Sequence, residues 1–159
     1  MNSYPCPAWL KCRGITEAEY ARWLDKQTRS VWNREVARGK TVHSTRRNLK
    51  QALHRAAHES DGSDPYSGAR FYVKHFDSGW EDKQAHLLGN RHHLTLRRNM
   101  PSFDHVKGLG CSTYQLCTRE TNSAKSYMSP AQFIGLCRRV AQHCGPALQV
   151  VVGVSDQHP

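Results

Sequence analysis

The chain has 159 residues, with 23 Lys and Arg against 13 Asp and Glu, a formal charge of +10 with ten His neutral. That length suffices for one domain with a real core and is too short for a dinucleotide-binding enzyme with a separate substrate domain. The charge predicts attraction to polyanions and carries no information about fold. Apolar residues make up 38%, and four Trp, six Tyr and four Phe argue for a folded chain. No run of about 18 apolar residues exists, so no membrane-spanning helix is expected. The opening MNSYPCPAWLKC holds no signal-peptide core, so a cytoplasmic protein with reduced thiols is expected.

The first 62 residues read as a helical region and residues 63–159 as a second region, the two forming one compact unit with an α+β fold. Thr16-Glu17-Ala18-Glu19 is a capping box, with Ile15 and Tyr20 placed for a hydrophobic staple. Tyr20, Trp23, Leu24 and Val31 continue at near-helical spacing, and Gly39 is a stop. A second helix starts at Ser44 or Thr45, with Leu49, Ala52, Leu53 and Ala56 as its apolar stripe. Arg46, Arg47 and Lys50 lie off that stripe, as a solvated basic face or a DNA-backbone contact. A turn-rich break at 59–65 leads to a short strand at Phe71-Tyr72-Val73. The polar stretch from Asp77 to Asn90 receives no assignment. His93 to Leu96 reads as extended, and Gly108 and Gly110 as a turn between two strands. The second strand spans Cys111 to Cys117, with Tyr114 and Leu116 on one face, and a helical turn begins at Thr121-Asn122. Ser129-Pro130-Ala131-Gln132 opens a last helix, with Phe133, Leu136, Cys137, Val140 and Cys144 as its stripe and Gly145-Pro146 as its end. An edge strand is expected over Ala147 to Val154.

The six cysteines, at 6, 12, 111, 117, 137 and 144, include no CxxC. They read as small buried hydrophobes, with a zinc site from Cys6, Cys12 and distant His, or disulfides, as the alternatives.

One constellation carries chemistry: strand, turn, strand, helix, with Asp104-His105 on the first strand and Asn122 at the helix start. A carboxylate and an amide oxygen can hold one hard divalent cation. His105 can then take a proton from an attacking water, while the cation binds a phosphate oxygen and stabilises the leaving 3′ oxygen. Side chains alternate along a strand, so Asp104 and His105 converge only at a distorted strand end or turn. Asn122 also suits an N-cap. Arg97 and Arg98 lie just upstream and suit backbone contacts.

Phe103-Asp104-His105-Val106, Tyr114-Gln115-Leu116-Cys117 and Thr121-Asn122-Ser123-Ala124-Lys125 together resemble the HNH, or ββα-metal, nucleases. More narrowly, the chain resembles small stand-alone bacterial and phage HNH proteins. The shared features are the capped basic helix from Glu19 to Arg38, Asp64-Pro65-Tyr66-Ser67-Gly68, Asp104-His105, Leu116-Cys117 with Asn122 and Lys125, and Met128 to Phe133 with Leu136-Cys137. The likeness runs in order over residues 15–144.

The resemblance implies N-terminal helices packed on a ββα-metal core with a C-terminal helix. It implies a metal-dependent DNA endonuclease, nicking or cutting both strands, with His105 as general base and Asp104 and Asn122 as metal ligands. Mg²⁺ or Mn²⁺ suits that donor set best, with Zn²⁺ or Ni²⁺ next. Lys125 would lie near the phosphate. Arg97, Arg98, Lys107, Arg119, Arg46, Arg47 and Lys50 would hold double-stranded DNA. Two departures stand out: the middle Asn of the motif falls near Ser112 or Thr113, and the zinc-knuckle cysteines are missing. The alternative is a non-catalytic nucleic-acid-binding protein on a degenerate HNH scaffold. Double-strand cutting needs two copies or two successive nicks, which leaves a dimer open.

Overall fold

A computed structural model describes residues 4–39, 42–73, 98–106 and 112–152, with side chains given up to 144. In chain order the elements are α1 (Ala8–Lys11), α2 (Glu17–Ala37), α3 (Arg46–Glu59), β1 (Pro101–His105), β2 (Tyr114–Thr118), α4 (Arg119–Lys125) and α5 (Pro130–Val152). The fold is mixed helix and strand, and β1 and β2 form an antiparallel pair. None of the described helices is long and apolar enough to cross a membrane.

The helix starts follow their capping chemistry. The Glu19 amide donates to Thr16 Oγ1 at 3.2 Å, and Glu19 Oε2 accepts from the Thr16 amide at 2.8 Å, so the capping box is complete. Thr45 caps α3 by accepting from the Asn48 amide at 3.2 Å. Ser129 and Gln132 exchange the same pair of bonds at the start of α5. Gly39, with φ +63°, lies just past the end of α2, as expected of a helix stop.

One apolar cluster spans both halves of the chain, so the expected break at residue 62 divides the sequence and not the core. Tyr20, Trp23, Leu24 and Val31 from α2 meet Leu49 and Leu53 from α3, and both meet Phe103, Tyr114 and Leu116 from the hairpin. The rings of Trp23 and Phe103 lie 5.3 Å apart, which joins α2 directly to β1. Trp9 adds a polar anchor: its indole N–H donates to the Ala57 carbonyl at 2.9 Å. Gly62 is required beside it. Its φ is +87°, and a Cβ there would stand 2.9 Å from the Trp9 ring.

Several expectations are corrected. Phe71 to Val73 forms no strand: among the described residues Phe71 and Tyr72 make single backbone bonds to the Gly62 and Asn99 carbonyls and no ladder. β2 begins at Tyr114. α4 begins at Arg119 with Thr118 as its cap, accepting from the Thr121 amide, so Asn122 lies inside the helix and caps nothing. α5 runs through Gly145-Pro146 to Val152, replacing both the expected stop and the expected edge strand. Proline lowers helix stability without forbidding continuation, and Ala147, Leu148 and Gln149 beyond it are good helix formers. The α5 stripe is not core: Leu136 is 38% and Val140 51% exposed, and Cys137 is exposed. Its described aromatic contact is Phe133 edge-on to Tyr66. Cys6 and Cys117 are buried, as small hydrophobes should be, while Cys12 is exposed. The five described cysteines are all free thiols. Cys111, the Gly108–Gly110 turn and the His93–Leu96 segment lie outside the described residues.

Asp64 pins the turn to the hairpin. It is 1% exposed. Its Oδ1 accepts from the Tyr66 and Ser67 amides at 2.8 and 3.0 Å, and its Oδ2 from the Thr118 amide at 2.6 Å. Burial alone would raise its pKa, but the Thr118, Tyr66 and Ser67 amides and the Thr121 hydroxyl outweigh burial and hold it below the ordinary carboxylate value. A depressed folded-state pKa contributes stability above the unfolded value, and that stability is lost as pH falls through the folded value. Asp64→Asn turns an acceptor into a donor opposite an N–H. It should therefore cost about 1–3 kcal/mol at neutral pH. Denaturant unfolding should show its deficit against wild type shrinking below about pH 4. A deficit that stays constant with pH would contradict this role.

Candidate active site

β1 and β2 pair in the register Asp104↔Gln115 and His105↔Tyr114. Alternation sends neighbouring side chains to opposite faces, as expected. Asp104 turns toward α4 and His105 toward the end of α2. Both nevertheless border one cavity of about 450 Å³, shared with Asn122 and Ser123 of α4 and with Arg34 and Arg38 of α2.

Asp104 is occupied by the protein's own cation. Its side chain is 2% exposed and that of Lys125 0%, and Lys125 Nζ lies 3.0 Å from Asp104 Oδ1. The same ammonium donates to the His105 carbonyl at 3.1 Å. Asp104 Oδ2 accepts from the Gln115 amide at 3.2 Å and from the Tyr66 hydroxyl at 3.4 Å. Lys125, expected at the phosphate, is thus buried and held from two sides, and it cannot reach a nucleic-acid backbone as placed.

Asn122 Nδ2 donates to Ser102 Oγ at 2.8 Å and to the Phe103 carbonyl at 3.0 Å, which locks α4 onto β1. This arrangement does not form a cation site from Asp104 and Asn122. Both carboxylate oxygens already accept hydrogen bonds, and an ammonium stands where a divalent ion would have to approach. Among the described residues no group of three or more His, Cys, Asp or Glu side chains is placed to hold a metal.

His105 is 8% exposed. Its Nε2 stands 3.5 Å from Glu35 Oε1, which also accepts from the Tyr114 hydroxyl at 2.6 Å. The His105 and Tyr114 rings lie 4.8 Å apart, and His43 stacks on Tyr114 at 5.8 Å. Burial, and then His105, lower the His43 pKa against the opposing pull of Glu35.

Arg34, Glu35 and Arg38 were not among the expected site residues. A signal for Glu35 was there. The buried stripe Tyr20, Leu24, Thr28, Val31 advances by three or four residues, and one more step of four lands on Glu35. Arg34 and Arg38 are four apart and share the adjoining face. Desolvation lowers the Arg34 pKa, and the nearby Arg38 lowers it further, as two guanidiniums facing one hollow should.

The other predicted phosphate contacts are scattered. Arg46, Arg47 and Lys50 line a second cleft between α2 and α3, together with Arg29. Lys50 is paired there with Asp25 at 2.6 Å, and Arg46 lies over the Trp32 ring. Arg98 is exposed and 3.7 Å from Glu120; Arg119 is exposed. Arg97 and Lys107 lie outside the described residues. The Cys117 thiol is pushed up by burial, which fits a core residue and not a nucleophile. No protein-family model, curated protein or solved structure matches the chain.

Removing one partner of a buried ion pair costs about 3–5 kcal/mol, since the other charge is left unpaired. Lys125→Met should lose about that much in chemical denaturation, and adding Asp104→Leu to it should restore most of the loss. A Lys125→Met protein as stable as wild type would mean that the pair is not closed in solution.

Proposed function

We propose that the protein is a DNA endonuclease that hydrolyses phosphodiester bonds at the cavity between the end of α2 and the β1–β2–α4 unit. The observation that carries this reading is the meeting of His105 with Arg34 and Arg38 on one opening. Two guanidiniums can hold the non-bridging oxygens of a phosphodiester, and their fork geometry suits that task better than lysine ammoniums. An imidazole at the same opening can take the proton of an attacking water. The strand–strand–helix order with Asp-His on the first strand and Asn on the helix supports the same reading, as does the formal charge of +10. Arg46 and Arg47, with Arg29 beside them, offer a second contact for flanking phosphates. The residues expected to hold a divalent cation do not fit one in this arrangement, so no step is assigned to a metal.

A second reading is favoured by the Asp104–Lys125 pair itself. A carboxylate neutralised internally suits a protein that binds nucleic acid on a ββα scaffold without cutting it.

Nicking of supercoiled plasmid separates the two readings. It is run with Mg²⁺, Mn²⁺, Ni²⁺ or EDTA, with His105→Ala beside wild type. The endonuclease reading predicts nicking that falls by about 10²–10⁴-fold in His105→Ala. In filter binding, Arg34→Ala with Arg38→Ala should weaken DNA affinity and reduce the salt slope by about 2. Salt-sensitive binding with no cleavage under any condition would leave the second reading. Absence of binding would end both.

A further inference from the structure

The buried carboxyl of Glu35 has no part in the phosphate clamp. Its side chain is 5% exposed and sits on the α2 stripe, where Val31 one turn earlier is apolar core. Oε1 accepts from the Tyr114 hydroxyl at 2.6 Å and faces His105 Nε2 at 3.5 Å. Oε2 is buried and finds no hydrogen-bond partner among the described residues. An incompletely satisfied buried carboxyl is a poor stabiliser, and an apolar residue would fill the stripe at lower cost. It does place Oε1 3.5 Å from one nitrogen of one histidine.

We propose that Glu35 is the positioning residue for His105, and that it sets the imidazole tautomer: Nε2 carries the proton toward Glu35 Oε1, and Nδ1 carries the lone pair. An oxygen already accepting from a hydroxyl is an acceptor on that side, so the facing ring nitrogen must be the donor. In a neutral imidazole the other nitrogen is then the basic one. Tyr114 is the second half of the device, because its hydroxyl holds the Glu35 carboxyl in the rotamer that meets the ring. β2 and α2 thereby hold a side chain of β1. The part of this that concerns reaction rate rests on the reading of His105 as general base; the tautomer does not.

The full-length protein is examined by long-range ¹H–¹⁵N correlation of the His105 ring at one neutral pH, with single-turnover plasmid nicking measured in parallel. Wild type is expected to show the Nε2–H form. Glu35→Leu should shift the ring toward the Nδ1–H form and lower the single-turnover cleavage rate on the order of a hundredfold, with affinity for DNA unchanged. Glu35→Gln keeps an acceptor oxygen and should recover the Nε2–H form and most of the rate. Tyr114→Phe should fall between the two. If Glu35→Leu fails to fold, the wild-type ring still decides: an Nδ1–H form there overturns the proposal. So does a folded Glu35→Leu with wild-type tautomer and rate. A tautomer that switches in Glu35→Leu while wild type cleaves nothing keeps the positioning role and removes the endonuclease reading.

Discussion

The ion pair between Asp104 and Lys125 decides how the hairpin and the short helix behind it are arranged. Neither side chain reaches solvent. Two charges can be buried only if both are well partnered, since breaking one leaves an uncompensated charge worth about 3–5 kcal/mol. Here Lys125 is held by Asp104 and the His105 carbonyl, and Asp104 is completed by Gln115 and Tyr66. These groups come from four places: β1 (Asp104 and His105), β2, α4 and the turn after α3. A seven-residue helix is too short to be stable alone, and this pair with the Asn122 bonds to β1 is what holds it. Asp64 closes the same corner from the other side by gripping the Thr118 amide at the α4 start.

The pair also determines what chemistry the corner offers. With its carboxylate spent internally, Asp104 has no oxygen presented to a ligand. The positive charge that faces the cavity comes instead from α2. Three residues of its last turns divide the work by helical geometry. Arg34 and Arg38 turn to the opening, and Glu35, one position on from Arg34, turns inward to His105. The N-terminal helices are therefore part of the site as well as its support, which is why a single apolar cluster runs from α2 into the hairpin.

Much of this was legible in the residues, and the legible parts share a cause. Helix starts are written locally: Thr16 with Glu19 and Ser129 with Gln132 specify their own bonds within four residues. The strands around His105 and Leu116 could be placed from alternation and turn residues. Most of the failures are tertiary. Lys125 looks like a surface cation in sequence, and only the fold brings Asp104 to it. Phe133, Leu136, Cys137, Val140 and Cys144 form a sound helical stripe, but periodicity does not say whether a partner face exists. Gly145-Pro146 is a strong stop signal that was overridden by the helix-forming residues beyond it. Glu35 went unseen because a charged residue on a buried stripe looks like the point where the stripe ends.

In the structure the charge on Asp104 is met by the Lys125 ammonium. The direct measurement is anomalous scattering from crystals of the free protein soaked in Mn²⁺. The result expected is Lys125 Nζ on Asp104, with no manganese coordinated by Asp104. A manganese ion ligated by Asp104 and Asn122, with the Lys125 ammonium displaced, would contradict it.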